Sequence, residues 1–327
     1  MNSYYLPFIS AFVTFALTLI LILNKGGTIQ DIPNERSLHT KPTPRTGGIA
    51  LMIGILSGWI LLIQFWEWWI VLPVLGLFML SLLDDMRNLS PQTRLIGHFI
   101  AALIAVSGAG VSLLCFIPVL LFAMWMTNLY NFMDGSDGLA GGMALCGFGC
   151  YGIGAWLGGS EVFALLNFSV ASAALGFLFF NFHPAKVFMG DAGSIPLGFL
   201  AATFGMLGWQ QGYWPFWFPV LVFSPFVADA TITLFKRVWR GEKLSQAHRN
   251  HYYQRLVQMG FGHRSTALAE YALMLLVGGA ALWGIGLDTQ GQLGLLVWWC
   301  AIYLCLMIWI DRCWRLYQAN LENRNVA

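Results

Sequence analysis

Three short stretches of this chain place acids and amides at spacings suited to phosphate chemistry. "LLDDMRN" sets Asp84 and Asp85 side by side at the end of an apolar run. A helix C-terminus is the negative end of the macrodipole, so adjacent carboxylates there call for a cation or a proton. The pair reads as a metal site or a general base, against the plainer reading of two solvated loop acids. "NLYNFMDGSDGLAGG" spaces Asn128, Asn131 and Asp134 three residues apart, on one helix face, and Asp137 follows a Gly-flanked turn. Asp, Gly and Ser are ordinary turn formers, yet a solvated turn needs no amides stacked below its acids. "HPAKVFMGDAGSIPLG" brings Asp191 to a helix start between Gly190 and Gly193. Free amides there can cradle phosphate while the carboxylate holds Mg²⁺ against it; the plainer reading is an Asp N-cap. Phe188, three residues earlier, offers a face for a base or simply packs.

Two basic stretches accompany these acids. "SQAHRNHYYQRL" holds His248, Arg249, His251 and Arg255, which suit a diphosphate or, equally, an anionic lipid surface. "DIPNERSLHTKPTPRTGG" adds Arg36, His39, Lys41 and Arg45 on a path stiffened by proline; setting orientation is its plainer role.

The elements that must position these groups are membrane helices. Of 327 residues 58% are hydrophobic and only 10% charged, with mean hydropathy +0.67, too few polar side chains to cover a soluble surface. The apolar runs do not alternate as barrel strands would. An all-α, polytopic membrane bundle is expected, with about eleven transmembrane segments: roughly 4–23, 47–66, 69–83, 95–107, 112–128, 139–157, 161–180, 194–207, 215–235, 266–286 and 293–310. The third, fourth and eighth come out short. With the N-terminus outside and the C-terminus inside, all 17 Lys and Arg residues fall on the inner side, as retention of positive charge in the cytoplasm requires. The first segment has no basic stretch before it and reads as an uncleaved anchor. One domain spans 1–327, and its inner loops, at 24–46, 84–94, 128–138, 181–193 and 236–265, carry every motif above. The six cysteines lie in apolar runs and read as small core residues. No nucleic-acid footprint is visible.

Acids and cations gathered at one interface suit a lipidic substrate meeting a phosphorylated, water-soluble one. A transporter or flippase for lipid-linked or nucleotide sugars is the competing class, but its ionisable groups would sit at mid-membrane in paired repeats.

From about Asp31 to His251, with "NxxNxxDGxDGLAGG" and "FMGDAGS" as a specific pair, the chain resembles the polyprenyl-phosphate N-acetylhexosamine-1-phosphate transferases. The resemblance implies transfer from a UDP-N-acetyl-sugar to undecaprenyl phosphate with release of UMP, dependent on Mg²⁺ or Mn²⁺, at the cytoplasmic face of the bacterial inner membrane. It implies that Asp84 deprotonates or positions the lipid phosphate with Asp85 beside it, as metal ligand or helper. It makes Asp191 the metal ligand and His251 a catalytic group. Asn128, Asn131, Asp134, Asp137 and Phe188 would bind the uridine, and Arg249, Lys41 and Arg45 the phosphates. Direct attack on the β-phosphorus is the expected route, with an aspartyl-phosphate on Asp84 as the alternative. The family precedent also suggests a homodimer. Two departures stand out: Asn88 replaces the third acid of a DDxxD pattern, and His251 is followed by Tyr252, Tyr253 and Gln254 where the family carries further histidines. The second resembles O-antigen initiating members that use 6-deoxy sugars such as N-acetylfucosamine or N-acetylquinovosamine, rather than the muramoyl-pentapeptide branch.

Overall fold

A computed structural model describes residues 3–24, 29–33, 38, 41–65, 67–242 and 248–326. Lys25, Arg36, His39 and Lys243 of the inner loops lie outside the described residues. The helices are α1 (Leu6–Leu23), α2 (Gly47–Trp59), α3 (Trp68–Arg87), α4 (Pro91–Gly108), α5 (Leu113–Phe132), α6 (Leu139–Leu157) and α7 (Glu161–Asn181). They continue as α8 (Asp191–Gln210), α9 (Trp217–Val222), α10 (Ser224–Trp239), α11 (Tyr252–Leu256), α12 (Gly262–Gly284) and α13 (Thr289–Val326). Each expected apolar segment coincides with one of these, the ninth being split between α9 and α10. Among the described residues eight helical stretches are long and apolar enough to cross a membrane: α1, α3, α5, α6, α7, α8, the run from α11 through α12, and α13. The chain is an integral, multi-pass helical membrane protein.

The short segments are longer than expected because their ends are set by capping rather than by the first charge. α3 runs on through Asp84 and Asp85 to Arg87 and stops at Asn88, whose φ of 51° is left-handed. Its amide donates to the Asp84 carbonyl at 2.8 Å. Asn tolerates that conformation better than most side chains, so the residue that breaks the DDxxD pattern is also the helix stop. α4 begins at Pro91 behind Ser90, whose hydroxyl accepts the Thr93 amide at 3.1 Å. α13 runs 38 residues, far past the expected end near Ile310. The ninth segment is broken where Phe223 leaves α9 and Pro225 opens α10.

α8 is the centre of the bundle. It is apolar on every face and buried along nearly its whole length, packed by α5 and α3 on one side and by α2 and α6 on others. Small residues permit that closeness: a Cβ on Gly48 of α2 would sit 2.3 Å from the Gly193 nitrogen of α8. Around α8, α1 packs on α2 and α7, and α6 on α7 and α12. The buried tyrosines satisfy their hydroxyls, Tyr130 donating to the Ala140 carbonyl at 2.7 Å and Tyr151 to that of Ala201 at 3.0 Å. The cysteines divide: Cys146 and Cys150 pack partly buried against the core, whereas Cys300 and Cys305 are exposed on α13.

One exception to the all-α expectation matters for the site. β1 (Gln30–Asp31) pairs antiparallel with β2 (Thr43–Pro44). The Pro44 carbonyl then accepts the Phe188 amide at 2.8 Å, and the Phe188 carbonyl accepts the Gly47 amide at 2.9 Å. This small ribbon ties the first inner loop to the segment before α8 and presents Asp31 and Arg45 to the same cleft.

Candidate active site

Three carboxylates from two helices converge where the ends of α3 and α8 meet. Asp85, in the last turn of α3, reaches across to the first amides of α8, accepting from Asp191 at 3.2 Å and Ala192 at 3.0 Å. The first amides of a helix have no partner within it, so Asp85 serves α8 as a cap from outside. The amides expected to cradle phosphate are therefore already taken, by Asp85 and by the Gly190 carbonyl, which accepts from Gly193 and Ser194 at 3.1 Å each. Gly190 must be glycine here: its φ is +72°, and a Cβ would lie 3.0 Å from Asp85 Oδ2.

Two guanidinium groups bind the acids together. Arg45 Nη2 contacts Asp191 Oδ1 at 2.7 Å and its Nε faces Asp85 Oδ1 at 3.4 Å. Arg94, from α4, bridges Asp84 Oδ2 at 3.3 Å and Asp191 Oδ2 at 3.7 Å. The remaining Asp84 oxygen accepts the Leu89 amide at 2.6 Å. Burial opposes the Arg45 charge, but Asp191, Asp85, Asp31 and Asp134 outweigh it and hold the guanidinium above its ordinary pKa. Three carboxylates against two guanidiniums leave one unit of negative charge for a further cation.

Beside this cluster opens a cleft of about 370 Å³. Arg45, Asn131, Asp134, Asp137 and Phe188 line it, as expected, together with Asp31, Asn88, Asn181, Gln254 and His263. Burial first, then the neighbouring acids Asp191, Asp85 and Asp31, push the Asp134 carboxyl well above the usual carboxylate range, against the pull of Arg45. Asp137 lines the wall mainly as a brace: its Oδ2 contacts His183 Nδ1 at 2.6 Å and accepts the Ala185 amide at 3.1 Å, pinning the loop before α8. His263 Nδ1 lies 2.8 Å from the Ser136 hydroxyl, and its ring stacks on His183.

Four expected site residues stand apart from both the acid cluster and the cleft wall. Asn128 lies one turn deeper in α5, its amide donating to the Met124 carbonyl at 2.8 Å. Lys41 and Arg249 are exposed, and the Arg249 carbonyl accepts from Gln258 at 2.9 Å. His251 is 3% exposed, its Nδ1 3.2 Å from Asp229 Oδ1 and its ring stacked on Phe132 and Tyr253. Burial, then the nearby His251 and Arg237, push His248 down to about 4, so it carries no charge toward a diphosphate near neutral pH.

Asp229 carries a signal in the sequence, a lone acid in the apolar run "SPFVADATITLF". Asp31, Gln254 and Arg94 carry none beyond their places in the inner loops.

The described residues hold no group of three or more His, Cys, Asp or Glu side chains arranged around one point for a metal. Asp85 accepts one α8 amide on each oxygen, and each oxygen keeps a second lone pair, so it retains its place in the expected ligand set. Asp84 and Asp191 present oxygens to the same Arg94 nitrogen. A two-carboxylate pair fits Mg²⁺, which is commonly held by one or two carboxylates plus substrate phosphates and water.

Residues 67–208 match the family described as glycosyl transferase family 4. A Bacillus subtilis protein named as a probable undecaprenyl-phosphate N-acetylglucosaminyl 1-phosphate transferase is 31% identical over 80% of this chain and 81% of its own length. A decaprenyl-phosphate N-acetylglucosaminephosphotransferase of Mycolicibacterium smegmatis is 31% identical over 73% of this chain and 71% of its own. A phospho-N-acetylmuramoyl-pentapeptide-transferase of Oceanobacillus iheyensis is 30% identical over 61% and 74% respectively. A helical membrane bundle with an acid cluster beside a polar cleft suits phosphoryl transfer at a membrane. The chain belongs to the polyprenyl-phosphate hexosamine-1-phosphate transferase family, whose members transfer a sugar phosphate onto a polyprenyl phosphate.

Proposed function

We propose that the protein transfers an N-acetylhexosamine-1-phosphate from a UDP-sugar to undecaprenyl phosphate at the cytoplasmic face of the bacterial inner membrane. The observation that carries this is the junction of two sites: the Asp84, Asp85 and Asp191 cluster clasped by Arg45 and Arg94, and the cleft lined by Asn131, Asp134 and Phe188 that opens from it. Arg45 belongs to both, so a nucleotide seated in the cleft places its diphosphate at the acids.

Phosphoryl transfer needs positioning and neutralisation of charge more than covalent help. The lipid phosphate oxygen attacks the β-phosphorus; a new P–O bond forms there as the bond to the oxygen bridging the α-phosphorus breaks, and UMP leaves with that oxygen. Arg94 orients Asp84 and Asp191, Arg45 offsets the charge of the donor, and Phe188 offers a face to uracil. Mg²⁺ held by Asp84 and Asp191 supplies Lewis-acid neutralisation of the phosphates when bound. Direct attack is favoured over an aspartyl-phosphate because the Leu89 amide and Arg94 draw charge from the two Asp84 oxygens and weaken them as nucleophiles.

On this reading α2, α4 and the broken α9–α10 pair are crossings beside the eight clear spans, eleven in all, with the N-terminus outside on the one-sided placement of Lys and Arg. The donor is an N-acetylated sugar, in keeping with the names of the relatives. The Tyr252, Tyr253, Gln254 sequence favours a 6-deoxy sugar such as N-acetylfucosamine or N-acetylquinovosamine and initiation of O-antigen or a related envelope polysaccharide. The test is UMP release in detergent with and without polyprenyl phosphate and Mg²⁺, across UDP-GlcNAc, UDP-FucNAc and UDP-QuiNAc. Release from one donor requiring both additions supports the reading; transport of the donor without UMP release would replace it with a carrier.

A further inference from the structure

Asp229 is an acid in the middle of α10 that the transfer chemistry does not use. It is 5% exposed. A buried carboxylate is costly unless its charge is met by hydrogen bonds, and this one is met in full. Oδ1 accepts the Tyr252 amide at 2.9 Å and the Thr233 hydroxyl at 3.1 Å and contacts His251 Nδ1 at 3.2 Å; Oδ2 accepts the Tyr253 amide at 2.9 Å. Every one of those partners except Thr233 belongs to the start of α11.

The chain of contacts continues to the cleft. The His251 amide donates to Gln254 Oε1 at 3.2 Å. That bond fixes which way the Gln254 amide faces, because its oxygen is held on the His251 side. A Gln side chain carries two N–H groups on its nitrogen. Nε2 lies beside the Tyr253 hydroxyl and over Gly135, where a Cβ would come 3.4 Å from it and 2.2 Å from that hydroxyl. The Tyr253 hydroxyl is itself held, donating to the Phe132 carbonyl at 3.2 Å. Gln254 lines the cleft, and this leaves one oriented N–H at its wall.

We infer that Asp229 is a positioning residue for the donor cleft: from within α10 it fixes residues 251–254, and through them aims the Gln254 amide at an acceptor oxygen of the nucleotide-sugar. This rests on the transferase reading above. It gives buried His251 a part as a link in the chain, joined to Asp229 on one side and to Gln254 on the other, and it makes the family-divergent Gln254 a contact to the donor. The lipid acceptor has no share in this chain, which sets an asymmetry: disturbing it weakens the donor and spares the acceptor.

The experiment is a double-mutant cycle of Asp229→Asn and Gln254→Leu in purified protein, reading KM for UDP-GlcNAc, or whichever UDP-sugar the wild type turns over, and KM for polyprenyl phosphate. Thermal unfolding and size-exclusion profiles verify the fold. Each single variant is expected to raise the donor KM about tenfold, the scale of one well-made hydrogen bond, with the acceptor KM within about twofold. On the Gln254→Leu background Asp229→Asn should add less than about twofold, because coupled residues are not additive. An unchanged donor KM in Asp229→Asn, multiplicative effects in the double variant, or equal losses on both substrates would each overturn the inference. If Asp229→Asn does not fold, Thr233→Val removes one donor from the same carboxylate oxygen and is held to the same pattern at about threefold. Wild-type protein that yields no UMP from any donor would instead defeat the transferase reading on which the inference stands.

Discussion

Asp85 of α3 and Asp229 of α10 do the same structural job, each sending a carboxylate across to the first two amides of another helix, Asp191 and Ala192 of α8 in one case and Tyr252 and Tyr253 of α11 in the other. Their neighbours differ. Around Asp85 stand two more carboxylates and two guanidiniums, an excess of charge that needs a ligand to complete it. Around Asp229 stand a histidine nitrogen and a hydroxyl, and each contact is a hydrogen bond that ties α10 to itself or to α11. A carboxylate on a helix start is architecture in both places, and chemistry begins where further charged groups crowd around it.

Several changes break or sharpen that comparison. The largest effect belongs to the charged cluster: Asp191→Asn and Asp84→Asn should each lower kcat for sugar-phosphate transfer by on the order of a thousandfold or more, since each removes a charge facing the reacting phosphates. Near wild-type turnover by either variant in folded protein would remove the cluster from the mechanism. Asp85→Asn keeps an acceptor for one α8 amide but loses its charge toward Arg45, and a loss of roughly a hundredfold is expected, with a lowered Tm because a helix start is left partly unmet. A variant as damaged as Asp191→Asn would show that Asp85 also touches substrate. The hydrogen-bonded centre gives the smaller, donor-selective change of Asp229→Asn already described.

Smallest is a stability effect at Asp134. Its folded-state pKa is raised, by burial and then by neighbouring acids, so the folded protein binds more protons than the unfolded one above the ordinary carboxylate range. Stability from this group is therefore lost as pH rises from that range through the raised value. In donor-free protein, Asp134→Asn should match the wild type at acid pH and show the higher Tm at neutral pH, while binding the nucleotide more weakly. A lower Tm at neutral pH would mean that Arg45 already holds Asp134 ionised.

Much of this was legible in the chain. The helix positions followed from runs of apolar residues, and the motifs around Asp84, Asp134 and Asp191 followed from spacing. What escaped was set by contacts between distant segments. α3 extends past its acids because Asn88 can adopt a left-handed conformation and the α8 start takes the Asp85 charge, neither of which hydropathy reveals. The sequence around α8 leaves its first amides looking free for the same reason: their partner lies more than a hundred residues earlier. His251 and Arg249 are two residues apart in sequence, yet one is buried against Asp229 and the other exposed. Proximity in a basic motif does not say which members reach the cleft, whereas a single acid in an apolar run, Asp229, does say that partners must exist.

The claim that the acid cluster transfers a sugar phosphate between two phosphates is tested most directly by following the β-phosphorus. Donor UDP-GlcNAc, or the preferred UDP-sugar, carrying a radiolabel at that atom is incubated with purified protein, polyprenyl phosphate and Mg²⁺. The account predicts label in the organic-extractable lipid, one unlabelled UMP for each lipid product, and loss of both on chelation or in Asp191→Asn. Label recovered in water-soluble phosphate, or lipid labelling that persists in Asp191→Asn, would contradict it.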